Sequence, residues 1–171
     1  MAESLTREEA LRILREASCP DNVVRHCIAV SAYAVSLAEE IRGRGHPVDV
    51  SFVESAALLH DIGRGRTHGI AHGIEGAKLL AAYPAYARVC ERHIGAGLMK
   101  EEARELGLPE RDFLPETLEE KIIAHADNLV DGERVRSLDV ALASFRKRLG
   151  AHHPVVARIR ALAEYVSSLA G

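Results

Sequence analysis

Apolar residues recur at steps of three and four along most of the chain, the period of helices that bury one face. Thr6 followed by Glu9 has the form of a capping box and predicts a first helix ending near Ala17. Cys19-Pro20-Asp21 interrupts the pattern, and Asp21 is a candidate cap for a long second helix over about 22–42. Gly43 and Gly45 end it, and 46–49 connects to a third helix over about 50–62, which stops in Gly63-Arg64-Gly65-Arg66. Further helices are predicted over about 70–82, 84–93, 100–106, 118–130 (capped by Thr117), 137–149 and 154–169. The proline-bearing stretch 107–116 reads as a loop, and no segment predicts a strand.

No repeat, linker or low-complexity tract breaks the 171 residues, so the expectation is one all-α domain, a helical bundle over 1–171. Its motif-bearing part spans about 22–136, and two C-terminal helices follow over about 137–169. Apolar residues make up 47% but aromatic ones only 4%, so the core must be aliphatic, which suits packed helices. The net charge of −3 supplies no global attraction for a polyanion, and duplex nucleic acid is not an expected partner. The charged first residues do not have the form of a signal peptide, and no apolar run approaches the roughly 18 residues of a membrane span. Cys19, Cys27 and Cys90 show no CxxC spacing and read as reduced thiols, which points to a cytoplasmic protein.

The nine histidines change the picture, because several fall in apolar segments. His26 shares a helical face with Val23, Val30, Tyr33, Leu37 and Ile41, and so points inward. His60 shares one with Val53, Ala56 and Ala57, and Asp61 follows it at the helix end. Asp127 lies on the side of Ile123 and Val130. An unpaired carboxylate there would cost several kcal/mol. A divalent cation is a fitting partner, since imidazole and carboxylate both ligate one, and a bundle can bring such groups together from separate helices. His125 projects elsewhere on its helix and reads as structural, while His46, His152 and His153 read as surface or turn residues.

The order His26, His60-Asp61, Asp127 resembles the H…HD…D pattern of the HD-domain superfamily, and Leu58-Leu59-His60-Asp61-Ile62-Gly63-Arg64 resembles its HDIG branch. That superfamily is all-helical and consists largely of metal-dependent phosphohydrolases. His72-Gly73-Ile74-Glu75-Gly76-Ala77 and Arg92-His93-Ile94-Gly95 are similar to segments of bacterial HD hydrolases that cleave diadenosine tetraphosphate, where two extra histidines hold a second metal. The resemblance implies His26, His60, Asp61, His72, His93 and Asp127 as metal ligands, with His68 the alternative to His72 and with His60 and Asp61 at the catalytic centre. The interval between His60-Asp61 and His72 is shorter than in that group. The GYP signature of cyclic-di-GMP hydrolases and the Glu-Asp pair of guanosine-tetraphosphate hydrolases are both missing.

The implied activity is hydrolysis of a phosphoester or phosphoanhydride in a small phosphorylated molecule, a nucleotide or dinucleotide. One or two divalent ions (iron, manganese, cobalt, nickel or zinc) would activate the attacking water, with Asp61 as the bridge between two. Arg64, Lys78 and Arg134 are the candidate phosphate binders. Three other readings stay open on the sequence: a one-metal nucleotidase or phosphodiesterase using His26, His60, Asp61 and Asp127, a module that binds metal and nucleotide without turnover, and a purely structural helical protein. The pattern does not speak to oligomeric state.

Overall fold

The computed structural model describes residues 4–171. Helices dominate it in the order α1 (Arg7–Glu16), α2 (Asp21–Gly43), α3 (Val50–Leu59), α4 (His72–Leu79), α5 (Pro84–Arg92), α6 (Lys100–Glu105), α7 (Leu118–Leu129), α8 (Leu138–Leu149) and α9 (Pro154–Ala170). The all-α expectation is met. Local chemistry sets the helix starts. Thr6 and Thr117 each accept from the backbone of the third helical residue, and the Glu9 and Glu120 side chains reach back. Asp49 and Ser137 cap α3 and α8 in the simpler way. Asp21 does not cap α2: Pro20 holds the cap position, and Asp21 is the first helical residue. Its carboxylate still faces the positive end of the helix dipole.

The main core is aliphatic. Leu14 of α1, Cys27, Val30 and Ile41 of α2, Leu58 and Leu59 of α3, Ile122 and Ile123 of α7 and Val166 of α9 are all nearly inaccessible. Two smaller clusters sit beside it, one around Leu142, Val156 and Ile159, the other around Phe113. The longest helix, α2, packs along α3, α7 and α9 and so carries His26 into the middle of the assembly.

Three departures from the expected elements all bear on the site. The third helix was expected to reach Ile62, but α3 ends at Leu59, with His60 as its cap. A 3-10 turn then covers Ile62–Gly65. Asp61, at φ −103° and ψ 14°, stands at the break between the two, so its carboxylate leaves the helix surface. The fourth helix is shorter than 70–82, because His72 is its first residue and Leu80 already caps it. The third departure is a two-residue antiparallel hairpin, β1 (Val130–Asp131) with β2 (Arg134–Val135). It is too short to show a strand period, but its two-residue turn is Gly132-Glu133, and Gly132 takes the positive φ of 58° that the first turn position of a tight hairpin needs.

Close backbone approach locks the 3-10 turn against α4. A Cβ on Gly63 would lie 1.8 Å from the His72 carbonyl oxygen, and one on Gly76 would meet the Cys90 side chain at 3.1 Å. Buried Glu120 of α7 accepts from Arg92 of α5 at 3.1 and 3.2 Å, tying the helix before His93 to the helix that carries Asp127. Gly63→Ala is therefore expected to lower folding stability by about 3 kcal/mol, since it overpacks a backbone contact that cannot relax by a rotamer change. Chemical denaturation of both proteins checks this. A midpoint shift equivalent to less than about 0.5 kcal/mol would show that the approach is not a constraint.

Candidate metal centre

The broken end of α3, the start of α4, the end of α5 and the inner sides of α2 and α7 converge on one point. His60 is fully buried there, and Asp61, His72 and His93 are each at most 6% exposed. His26 and Asp127 close the group from the more open side. His26 Nε2 lies 2.9 Å from Asp127 Oδ1, and His60 Nε2 lies 3.3 Å from the same oxygen. Asp61 Oδ2 sits 3.9 Å from His26 Nε2 and 3.8 Å from His60 Nε2. Asp61 Oδ1 faces the opposite way, 3.3 Å from both His72 Nε2 and His93 Nε2, which are themselves 3.2 Å apart. Asp61 thus presents one oxygen to each of two donor groups.

The other nitrogen of each ring decides what these contacts are. Nδ1 of His26, His60, His72 and His93 lies 2.7, 2.6, 2.9 and 2.6 Å from the carbonyl oxygens of Gly132, Ala57, Gly69 and Cys90. A carbonyl only accepts, so each Nδ1 carries the hydrogen, and each neutral ring presents a lone pair at Nε2. Those lone pairs point at two carboxylates and at each other. His60 Nε2 and Asp61 Oδ1 are buried without any hydrogen-bond partner. Polar atoms orphaned at one point, all of them electron-pair donors of the kind that ligate divalent metals, fit a cation. The sets His26–His60–Asp127 and His60–Asp61–His93 each bring their donor atoms within 4.8 Å of one another.

Titration behaviour agrees with such a centre. Burial opposes charge on His60, but the Asp61 and Asp127 carboxylates outweigh it and hold its pKa well above the ordinary histidine value, so without a metal they draw a proton to Nε2, the place a cation would take. Burial likewise opposes charge on Asp61, yet His60, His72 and His93 hold its carboxyl well below the usual range. Asp127 is lowered in the same way by His60 and His26, again against burial. His93 is the exception, since burial dominates and lowers it.

His68 is not in the convergent set. It is exposed on the rim, and its carbonyl accepts from Arg64 Nη1. His125 is buried on α7 away from the other histidines and is pushed down to about 4 by burial. His153, expected on the surface or in a turn, caps α9 by accepting from Val155 N.

A cavity of about 440 Å³ opens over the centre. Arg64 is on its wall, with Nε donating to Asp61 Oδ2 at 2.9 Å. The other two expected phosphate binders are elsewhere. Lys78 is exposed and bound to Glu75 at 2.7 Å, because it falls on the outer side of α4. Arg134 lies on the exposed strand β2. Two cationic side chains that the sequence did not single out line the cavity instead, Arg136 and Arg148. Arg136 Nε is buried with no partner. The hairpin makes the difference, since folding back at Gly132 turns Arg134 outward and brings Arg136 to the wall.

The HD-domain model matches residues 23–130, which contain all of the convergent residues. The chain belongs to the HD-domain family. A relative from Methanocaldococcus jannaschii, described only as an uncharacterized protein, is 52% identical over 95% of this chain and 97% of its own length. Two longer relatives are named tRNA (cytidine(56)-2'-O)-methyltransferase. The one from Picrophilus torridus is 41% identical over 96% of this chain, and the one from Thermoplasma volcanium is 37% identical over 94%. The chain spans only 47% and 46% of those two proteins. No solved structure matches this HD-domain chain. No helix among its described residues is long and apolar enough to cross a membrane.

A cation at this centre must stabilise the fold, because it replaces unsatisfied contacts present only when the chain is folded. Manganese or cobalt at about a hundred times its dissociation constant is expected to add about 2.7 kcal/mol, a rise of a few degrees in melting temperature. His60→Ala should reduce that rise. A melting temperature indifferent to metal in the chelator-treated wild type would count against the assignment.

Proposed function

We propose that the protein is a metal-dependent phosphohydrolase acting on a phosphoester or phosphoanhydride of a small molecule, a nucleotide or dinucleotide. The observation that carries this reading is the set of carbonyl-oriented histidines whose Nε2 lone pairs converge on Asp61 and Asp127 below an arginine-walled cavity. His26, His60, Asp61 and Asp127 would hold one divalent ion. His72, His93 and the second oxygen of Asp61 would hold another, with Asp61 shared. Such ions activate water for attack on phosphorus and offset charge on the phosphoryl oxygens.

The chain's own residues do the rest. The carbonyls behind the rings hold a proton at Nδ1 and aim Nε2 at the centre, and burial of His60 and Asp61 excludes competing water. Arg64 and Arg136, both on the cavity wall, supply guanidinium donors for the phosphate oxygens. Iron, manganese, cobalt, nickel and zinc all suit a His/Asp donor set. The names of the two longer relatives add a second substrate source, the phosphate at an RNA end. They favour it because the matched region is joined in those chains to a protein named for tRNA modification.

Phosphate release is measured over nucleotides, dinucleoside polyphosphates, cyclic nucleotides and short RNAs with terminal phosphates, with each metal supplied in turn. Turnover is expected with at least one metal. Asp61→Asn should lower it by about a hundredfold or more, and Arg136→Ala should lower kcat/KM about tenfold, the weight of one charge-assisted hydrogen bond. Protein with its metal bound that releases nothing from any of these compounds would overturn the proposal and favour a binding module.

A further inference from the structure

Beside the cavity over the metal centre lies a second one of about 250 Å³ with largely apolar walls. The two share Ile70, Ile94, Gly95, Phe145 and Arg148, so they meet along a common wall. Phe145 and Arg148 belong to α8, beyond the residues 23–130 matched by the family. The C-terminal helices thus add a chamber to the HD core.

Its chemistry differs from that of its neighbour. The Arg148 guanidinium carbon stands 4.6 Å from the centroid of the Phe145 ring, a stacked cation–aromatic pair. A guanidinium can stack through its plane while its N–H groups reach a phosphate, and Arg148 borders both cavities. Ile70, Leu106 and Leu149 leave apolar surface open at the chamber, at 38%, 45% and 42% exposure. Glu105 and Glu102, the latter with its carboxylate paired to Arg158, also line it, and the Glu105 charge disfavours a second phosphate there and suits a neutral ring with N–H groups at its edge. A planar, uncharged, largely apolar group joined to a phosphate meets all of these conditions at once.

We infer that this chamber is a nucleobase subsite: the substrate is a nucleoside phosphate whose base lies against Phe145 and Arg148 while its phosphate lies toward Arg64, Arg136 and the histidines. The inference rests on the phosphohydrolase reading for the placement of the phosphate, but its test does not require turnover. Equilibrium binding of non-hydrolysable phosphonate analogues of adenosine monophosphate and of ribose 5-phosphate is measured by calorimetry on the metal-loaded full chain. The nucleotide analogue is expected to bind about tenfold or more tightly than the base-free one, within the range of base stacking on an aromatic side chain. Phe145→Ala and Leu149→Glu should each abolish that difference and leave the base-free analogue unaffected. Leu149 is exposed enough that its variant is expected to keep the wild-type melting temperature, which guards against misfolding of the first.

Equal binding of the two analogues, or a difference that survives both variants, overturns the subsite. So does a Leu149→Glu protein that changes from dimer to monomer in sedimentation with unchanged affinities, because the apolar surface would then join two copies of the chain. A trinucleotide ending in the same adenosine phosphate separates free nucleotides from RNA ends; tight, Phe145-dependent binding of either supports the subsite. Hydrolysis of a base-free phosphoester reports separately on the reaction. Its absence beside intact base-dependent binding would remove the phosphohydrolase reading and leave the base subsite standing.

Discussion

The site depends on one repeated interaction, a backbone carbonyl behind each imidazole. Three of the four come from the same place relative to their ring. His60, His72 and His93 each place Nδ1 against the carbonyl three residues earlier, those of Ala57, Gly69 and Cys90. His60 and His93 cap α3 and α5, where the last carbonyls of a helix lack partners inside it. Breaking the helix at that position therefore does two things at once. It gives a helix-end carbonyl a ring N–H to accept, and it aims the opposite nitrogen into the centre. His26 lies inside α2 and has no such carbonyl of its own, so the Gly132 turn of the small hairpin supplies one. The hairpin earns its place in the fold through that contact and through Arg136.

Asp61 is the hinge of the same arrangement. At the break between α3 and the 3-10 turn, its two oxygens face different donor groups. The close approach of Gly63 to the His72 carbonyl holds α4 near enough for His72 to take part. The Arg92–Glu120 pair ties α5 to α7 and so fixes His93 relative to Asp127. Burial makes the arrangement costly without a cation, because the attraction between His60 and its two carboxylates stands against desolvation of all three.

Much of this was legible in the residues. Helical phase placed His26, His60 and Asp127 on inward faces, and those are the side chains that converge. The long helices and the Thr6 and Thr117 capping boxes were readable because their signals are local and periodic. The break after Leu59 was not, since a 3-10 turn continues the apolar pattern of the helix before it. The hairpin was not legible because two-residue strands have no period, although Gly132, the first residue of its turn, was a local signal. That miss propagated to the phosphate binders: without the fold-back, Arg134 appeared to be the nearer cation and Arg136 drew no attention. Lys78 failed for a plainer reason, since helical phase from His72 puts it on the outer side of α4. Phe145 and Arg148 could not be found from motifs, because they lie past the matched family region and act through tertiary contact alone.

The proposed sharing of Asp61 between two metal sites carries the rest of the functional reading. Elemental analysis of the purified, metal-loaded chain, set beside its His72→Ala/His93→Ala variant, tests it most directly. About two ions per wild-type chain and about one per variant chain are expected, with the remaining ion lost on further replacement of His60. One ion per chain in both the wild type and the variant would contradict it and leave His72 and His93 without a ligand role.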